Sequence, residues 1–188
     1  MNRRVFIALT IPKNLAKRIE SLITPLKGGL REDVRFIVPE NWHVTLAFLG
    51  LQSDEALGKI IAGIKTSCQG ITLPEIAFTR LVISPQQGVP RMVWLEGDTA
   101  SAKKLEVIRK NIDSELLNQG INYKLSAKKF TTHITVARFQ KKPIKSLETV
   151  TFPAVREREL GFQPERITLM ESELTKNGSV YTELASFS

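Results

Sequence analysis

The sequence is poor in cysteine and histidine: its 188 residues include one cysteine and two histidines. A single cysteine excludes an internal disulfide framework, so we predict a reducing compartment and a cytoplasmic location. Neither histidine stands in a metal-binding spacing with other histidines or cysteines, so we predict no metal and no other cofactor. The sequence also lacks any apolar run near the ~20 residues of a membrane-spanning helix, which argues against a membrane partner.

Acidic residues are outnumbered by basic ones, 19 against 27, which gives a formal net charge of +8. Such a balance favours a polyanionic partner such as nucleic acid, although many basic proteins bind none. Basic residues also gather around the second histidine, and they are Lys128, Lys129, Arg138, Lys141, Lys142 and Lys145. This gathering strengthens the prediction of a nucleic-acid partner.

Apolar periodicity predicts a chain of mixed helices and strands. One-sided apolar stripes predict helices that begin at Asn14, at Ser53, and at Thr99 or Ser101. Strands are predicted around each histidine and over residues 4–11, 34–38, 75–83, 91–96, 121–125, 151–156, 166–174 and 179–187. The dipeptide Asn177-Gly178 is a strong hairpin signal, so the last two strands should pair directly. The sequence therefore predicts an α+β protein with largely antiparallel sheets.

Both histidines stand in the same short frame, within "WHVTLAFLG" at residues 42–50 and "THITVARF" at residues 132–139. His43 is followed two positions later by Thr45, and His133 by Thr135. On a strand, residues two apart share a face, so each imidazole points with its threonine while the aliphatic neighbours enter the core. A single strand histidine is more often a partly buried residue with a satisfied hydrogen bond. Because the whole frame occurs twice, each time after a helix, a glycine and a short strand, we predict a duplicated unit and a functional pair.

Two imidazoles that face each other suit proton transfer at a phosphate. A neutral imidazole can take a proton from an attacking water while an imidazolium gives one to the departing oxygen. Histidine titrates near neutrality, so both forms are accessible. The threonine hydroxyls, with an arginine if one is near, could hold the non-bridging phosphate oxygens. This scheme needs neither a metal ion nor a covalent nucleophile.

These motifs resemble those of the 2H phosphoesterases, and among them the RNA 2′,3′-cyclic phosphodiesterases, historically called 2′-5′ RNA ligases. The resemblance also includes "RVFIALTIP", "PRMVWLEG" and "LMESELTKNGSVYTEL", so it spans nearly the full length. One departure is Thr132, where the family usually has proline. The two motifs also differ from each other, since Phe48 stands where Arg138 stands in the second, and we interpret Phe48 as a core residue.

The resemblance implies one bilobal domain over residues 1–188, with two pseudo-symmetric lobes and the active cleft between them. Each lobe would be an antiparallel sheet backed by two helices. We expect a monomer whose partners are RNA ends or nucleotides that carry a 2′,3′-cyclic phosphate.

The resemblance also implies roles for individual residues. His43 would be the proton donor and His133 the proton acceptor, while Thr45, Thr135 and Arg138 would bind the phosphate. The implied reaction is metal-independent hydrolysis of an RNA terminal 2′,3′-cyclic phosphate to a 2′-phosphomonoester. Two alternatives stay open: reversible 2′-5′ RNA ligation in the same cleft, and a non-catalytic module that binds nucleotides or RNA.

Overall fold

The computed structural model describes residues 1–30, 34–127, 129–140, 151–156, 160–176 and 178–188. The helices are α1 (Lys13–Gly29), α2 (Asp54–Cys68) and α3 (Thr99–Asn118), and a short 3₁₀ helix covers Pro39–Asn41. The strands are β1 (Asn2–Thr10), β2 (Val34–Phe36), β3 (His43–Ser53), β4 (Ile76–Ser84), β5 (Met92–Gly97), β6 (His133–Phe139), β7 (Gly161–Phe162), β8 (Ile167–Thr175) and β9 (Gly178–Phe187). These elements confirm the predicted α+β class.

The described strands pair antiparallel in the order β7-β4-β5-β6-β3-β1-β8-β9, and β2 pairs with the outer part of β6. The two histidine strands, β3 and β6, are joined through the pair Val44–Ile134. This pair divides the path into two groups of four strands, one on each side. Both histidine strands therefore lie at the centre of the sheet, where the two groups meet.

The helices begin close to their predicted starts. Helix α2 follows Ser53, whose hydroxyl accepts a hydrogen bond from the backbone of its first turn, as expected of an N-cap. Helix α3 is capped by Asp98, and α1 begins one residue before the predicted Asn14. The described residues contain three α-helices, whereas two helices behind each lobe would make four. None of the described helices is long and apolar enough to cross a membrane.

Aliphatic side chains of the histidine strands enter one hydrophobic core. Val44, Leu46, Ile134 and Val136 are all buried in it. Burying one such side chain contributes roughly 1.5–3 kcal/mol, and a one-residue slip of either strand would expose the whole set. The core therefore fixes which face of the sheet carries the histidines.

Two of the predicted strands are absent. Residues 121–125 and 151–156 have the composition of strands, but neither segment joins the sheet. In the first segment, the Tyr123 hydroxyl donates to an Asp113 carboxylate oxygen at 2.7 Å, so the segment is held by side chains of α3. Both predictions were wrong because alternation in sequence does not supply a partner strand.

The closing hairpin is confirmed, since β8 and β9 pair along their lengths. Its predicted turn residue Asn177 lies outside the described residues, and so do Lys128, Lys141, Lys142 and Lys145 of the basic group near the second histidine. Lys129 and Arg138 are the described members of that group, and both are exposed.

Candidate active site

The four motif residues share one face of the sheet. His43 is the first residue of β3 and His133 is the first residue of β6. Continuing the antiparallel register by one residue from the pair that joins these strands sets His43 opposite Thr135 and His133 opposite Thr45. Each histidine therefore lies across from the threonine of the other motif.

Both imidazoles are oriented by the same hydrogen bond. The Nδ1 atom of His43 lies 2.8 Å from the carbonyl oxygen of Asn41, and that of His133 lies 2.8 Å from the carbonyl oxygen of Thr131. A carbonyl oxygen only accepts, so Nδ1 carries the hydrogen in both rings. The Nε2 atoms are left for the site, where each accepts a proton when neutral and donates one when charged.

Aromatic rings enclose both histidines. Phe6 and Tyr181 contact His43, with ring centroids 4.9 and 5.2 Å from the imidazole. Trp94 stacks on His133 at 3.8 Å, with an interplanar angle of 22°. Sequence reasoning missed these three rings because they come from β1, β5 and β9, and only the strand register brings them to the histidines.

Burial lowers the pKa of both imidazoles. For His43, desolvation is the main cause, the hydrogen bond to Asn41 opposes it, and the charges of His133 and Arg138 lower the pKa further, to about 4. For His133, desolvation lowers the pKa, while its backbone hydrogen bond and the carboxylate of Glu96 oppose the change. Both rings are therefore mainly neutral at pH 7 in the free protein, and an anion bound beside them would raise both pKa values.

Arg138 reaches the histidine face through a β-bulge. Strict alternation would put Arg138, five positions after His133, on the core face. However, β6 contains one residue more than β5 at Val136, which shifts the register there. The guanidinium is consequently exposed, and its charge lowers the pKa of His43.

The same bulge occurs in the first motif. Strand β3 contains one residue more than β1 at Leu46, the position equivalent to Val136. Phe48 is 69% exposed, so its interpretation as a core residue was wrong. The bulge turns it to the site face, where its ring centroid lies 6.1 Å from that of Phe6, the ring that also contacts His43.

Each histidine lines its own cavity. The cavity of about 450 Å³ at His43 is also lined by Trp42 and Tyr181. The cavity of about 370 Å³ at His133 also includes Thr45 and Phe48. Both volumes fall in the range of small-molecule sites. In the described part of the chain, no group of three or more histidine, cysteine or acidic side chains could hold a metal ion.

Thr132 is buried against Gly97, and its hydroxyl has no hydrogen-bond partner among the described residues. We expect Thr132→Val to raise the free energy of unfolding by about 1 kcal/mol, because it removes an unpaired buried hydroxyl and keeps the shape. Urea denaturation measures the change. Thr132→Ala is the control, and it should lower stability because it also loses the methyl contact. A valine variant no more stable than wild type would show that the hydroxyl is satisfied.

The comparisons with known proteins agree with this architecture. The family model "LigT like Phosphoesterase" matches residues 9–94, which include the first histidine motif. The RNA 2′,3′-cyclic phosphodiesterase of Methanothermobacter thermautotrophicus is 24% identical over 100% of this chain and 99% of its own length. The enzyme of the same name from Methanocaldococcus jannaschii is 27% identical over 95% of this chain and 96% of its own.

Solved structures share the fold. The protein TT0787 of Thermus thermophilus has a TM-score of 0.75 at 24% identity, with 98% of this chain and 96% of that chain covered. Escherichia coli LigT in apo form has a TM-score of 0.72 at 22% identity, with the same coverage. The matched family model, the similarity over nearly the full length and this shared fold make the chain similar to the LigT-like phosphoesterases.

Proposed function

We propose that the protein hydrolyses the terminal 2′,3′-cyclic phosphate of RNA to a 2′-phosphomonoester. The observation that carries the proposal is the matched pair of imidazoles, each held through Nδ1 by a backbone carbonyl and each with Nε2 left for the site. The curated relatives named RNA 2′,3′-cyclic phosphodiesterase support the substrate. Escherichia coli LigT has also been solved in complex with 3′-AMP, a nucleotide.

In the proposed reaction, the phosphorus lies between the two Nε2 atoms. His133 takes a proton from a water molecule, whose oxygen attacks phosphorus. The bond between phosphorus and O3′ then breaks, and His43 gives its proton to O3′. The phosphate stays on O2′, and the proton taken by His133 restores the pair after product release. An in-line displacement needs its acid and its base on opposite sides of the phosphorus, which suits imidazoles from two strands.

The phosphate would be held by three side chains on the histidine face. The hydroxyls of Thr45 and Thr135 donate to its non-bridging oxygens, and Arg138 supplies positive charge. The bound anion also acts on the histidines, since its charge offsets the desolvation that lowers the pKa of His43. The substrate thereby favours the charged imidazole that the reaction needs.

The test is to incubate the protein with EDTA and a nucleoside 2′,3′-cyclic phosphate, and to resolve the 2′ from the 3′ product by chromatography. We expect the 2′-monoester alone, at a rate that EDTA leaves unchanged, because the scheme uses no metal. A 3′ product would mean that O2′ leaves, which contradicts the proposed geometry. Nucleotide binding without turnover would favour the non-catalytic module instead.

The same assay separates hydrolysis from ligation. A second RNA with a free 5′ hydroxyl is added, and the products are examined for a 2′-5′ joined strand. Ligation uses that hydroxyl in place of water at His133, so the two reactions compete for one site. We expect hydrolysis to dominate because water is far more concentrated than any RNA end.

A further inference from the structure

Arg109 of α3 is a buried cation that the proposed reaction does not use. It is 7% exposed, and its Nε has no hydrogen-bond partner among the described residues. The nearest carboxylate oxygen, from Asp113, is 3.9 Å from Nε, and the ring centroid of Phe130 is 5.8 Å from the guanidinium carbon. Burying a guanidinium costs free energy unless its charge and its hydrogen-bond donors are satisfied, so we expect an anionic acceptor close to Arg109.

Asp113 meets this need only in part. Its carboxylate accepts a short hydrogen bond, 2.7 Å, from the Tyr123 hydroxyl. The contact with Arg109 exceeds hydrogen-bond length, although the two residues are one helical turn apart on α3. The internal carboxylate therefore holds the guanidinium in place and leaves donor capacity for another anion.

Arg109 lines the same cavity as His133 and Thr45. Lys124 and Lys129, both exposed, also line this cavity. With Asp113 as the acidic lining residue, the three basic side chains leave the cavity with an excess of positive charge. An anionic group that enters beside His133 would thus meet a forked guanidinium and two ammonium groups.

We propose that Arg109, Lys124 and Lys129 form a second anion subsite, which binds the phosphodiester on the 5′ side of the terminal nucleotide. This inference rests on the proposed function at His43 and His133. A terminal nucleotide of RNA carries two phosphates, the cyclic one on O2′ and O3′ and the diester on O5′. The first occupies the histidine face and the second occupies the basic part of the same cavity. The subsite thereby favours RNA ends over nucleoside 2′,3′-cyclic phosphates, which lack the 5′ diester.

The test compares two substrates that end in the same nucleoside: a nucleoside 2′,3′-cyclic phosphate and a dinucleotide with that group at its 3′ end. Wild type should show kcat/KM higher for the dinucleotide on the order of 10–100-fold, the usual effect of charge-assisted hydrogen bonds. The Lys124→Ala/Lys129→Ala variant should lose most of this preference while its kcat/KM for the mononucleoside stays within about twofold. Lys103→Ala/Lys104→Ala on the exposed face of α3 is the charge-matched control, and it should keep the preference.

A third variant examines the guanidinium itself. Arg109→Lys keeps the charge and loses the fork, so it should lower the preference for the dinucleotide and leave the mononucleoside rate intact. If this variant fails to fold, the two lysine substitutions still decide the question. A wild type without preference, or a Lys124→Ala/Lys129→Ala variant that keeps it, would overturn the subsite and leave Arg109 as part of a structural ion pair.

Binding measurements keep the inference separate from the proposed reaction. Calorimetry measures the affinities of the two 2′-phosphate products, one from the mononucleoside and one from the dinucleotide, without any turnover. The dinucleotide product should bind more tightly to wild type than to the Lys124→Ala/Lys129→Ala variant. If neither cyclic substrate is hydrolysed but this difference in affinity is observed, the proposed function fails while the subsite stands.

Discussion

Replacing either histidine by alanine will lower kcat on the order of 10²–10⁴-fold, the usual cost of losing a proton-transfer group. His43→Ala removes the Nε2 that would protonate O3′, and His133→Ala removes the Nε2 that would take the proton from water. Because both act in one transition state, the double variant should lose less than the product of the two single losses. Single-turnover rates on a nucleoside 2′,3′-cyclic phosphate measure all three variants.

Asparagine is the matched control at each position. Its side-chain amide can donate to the carbonyl of Asn41 or Thr131, as the imidazole Nδ1 does, but it offers no group that carries a proton. His43→Asn and His133→Asn should therefore be as inactive as the alanine variants and closer to wild type in thermal stability. A folded asparagine variant with near-wild-type turnover would show that its histidine is not the proton carrier.

The phosphate ligands should give a graded series. Thr45→Ala and Thr135→Ala each remove one hydrogen bond to an anion, so their effects should be smaller than those of the histidine variants. The loss of activity in Arg138→Ala should fall between the two groups, since it removes a full positive charge that is proposed to bind the phosphate. A larger loss in a threonine variant than in the histidine variants would contradict the assigned roles.

The pH profile of kcat/KM should be a bell on the acidic side of neutrality. The proposed reaction needs one charged and one neutral imidazole, and interacting histidines titrate as a pair. In the free protein, the pKa of His43 is lowered to about 4, and that of His133 lies below its ordinary value of 6.5. The acid limb should therefore lie near pH 4, where both rings become charged, and the alkaline limb below pH 6.5, where both become neutral.

The profile of kcat should be displaced to higher pH. Bound phosphate favours the charged form of both imidazoles, so both limbs move up in the complex. Arg138→Ala should also raise the acid limb of kcat/KM, because it removes a positive charge that lowers the pKa of His43. Steady-state rates between about pH 4 and pH 9 test both statements. A kcat/KM that reaches a plateau above about pH 8 would contradict the requirement for a charged imidazole.

The alternation within each motif was sufficient to predict the histidine face. Val44 and Ile134 are buried as expected, and the histidine and threonine that flank each of them share the other face. The bulges could not be predicted, because an extra residue is defined only by the strand beside it. The exposure of Phe48 and the position of Arg138 both depend on those bulges. The interpretation of Phe48 as a core residue was therefore wrong, and the assignment of Arg138 to the phosphate rested on the resemblance alone.

Arg109 gave no signal in the sequence. It follows Ile108 in a helical stripe of apolar residues, where a long basic side chain is ordinarily directed to solvent. Its burial depends on Phe130 and on the loop after α3, which no local periodicity describes. The aromatic rings around the histidines could not be predicted either, since each ring comes from a strand distant in sequence from the histidine that it contacts.

The bulges at Leu46 and Val136 lie at equivalent positions of the two motifs, but the side chains that they turn outward differ in charge. Each bulge turns the fifth residue after its histidine outward, free of the core, so core packing does not require the same side chain at both positions. One of them is Phe48, a neutral ring in the cavity of His133. The other is Arg138, a cation whose charge acts on His43. A cation beside an imidazolium makes it a stronger acid, so the charge of Arg138 lowers the proton affinity of His43 and, in the proposed reaction, favours His43 as the proton donor.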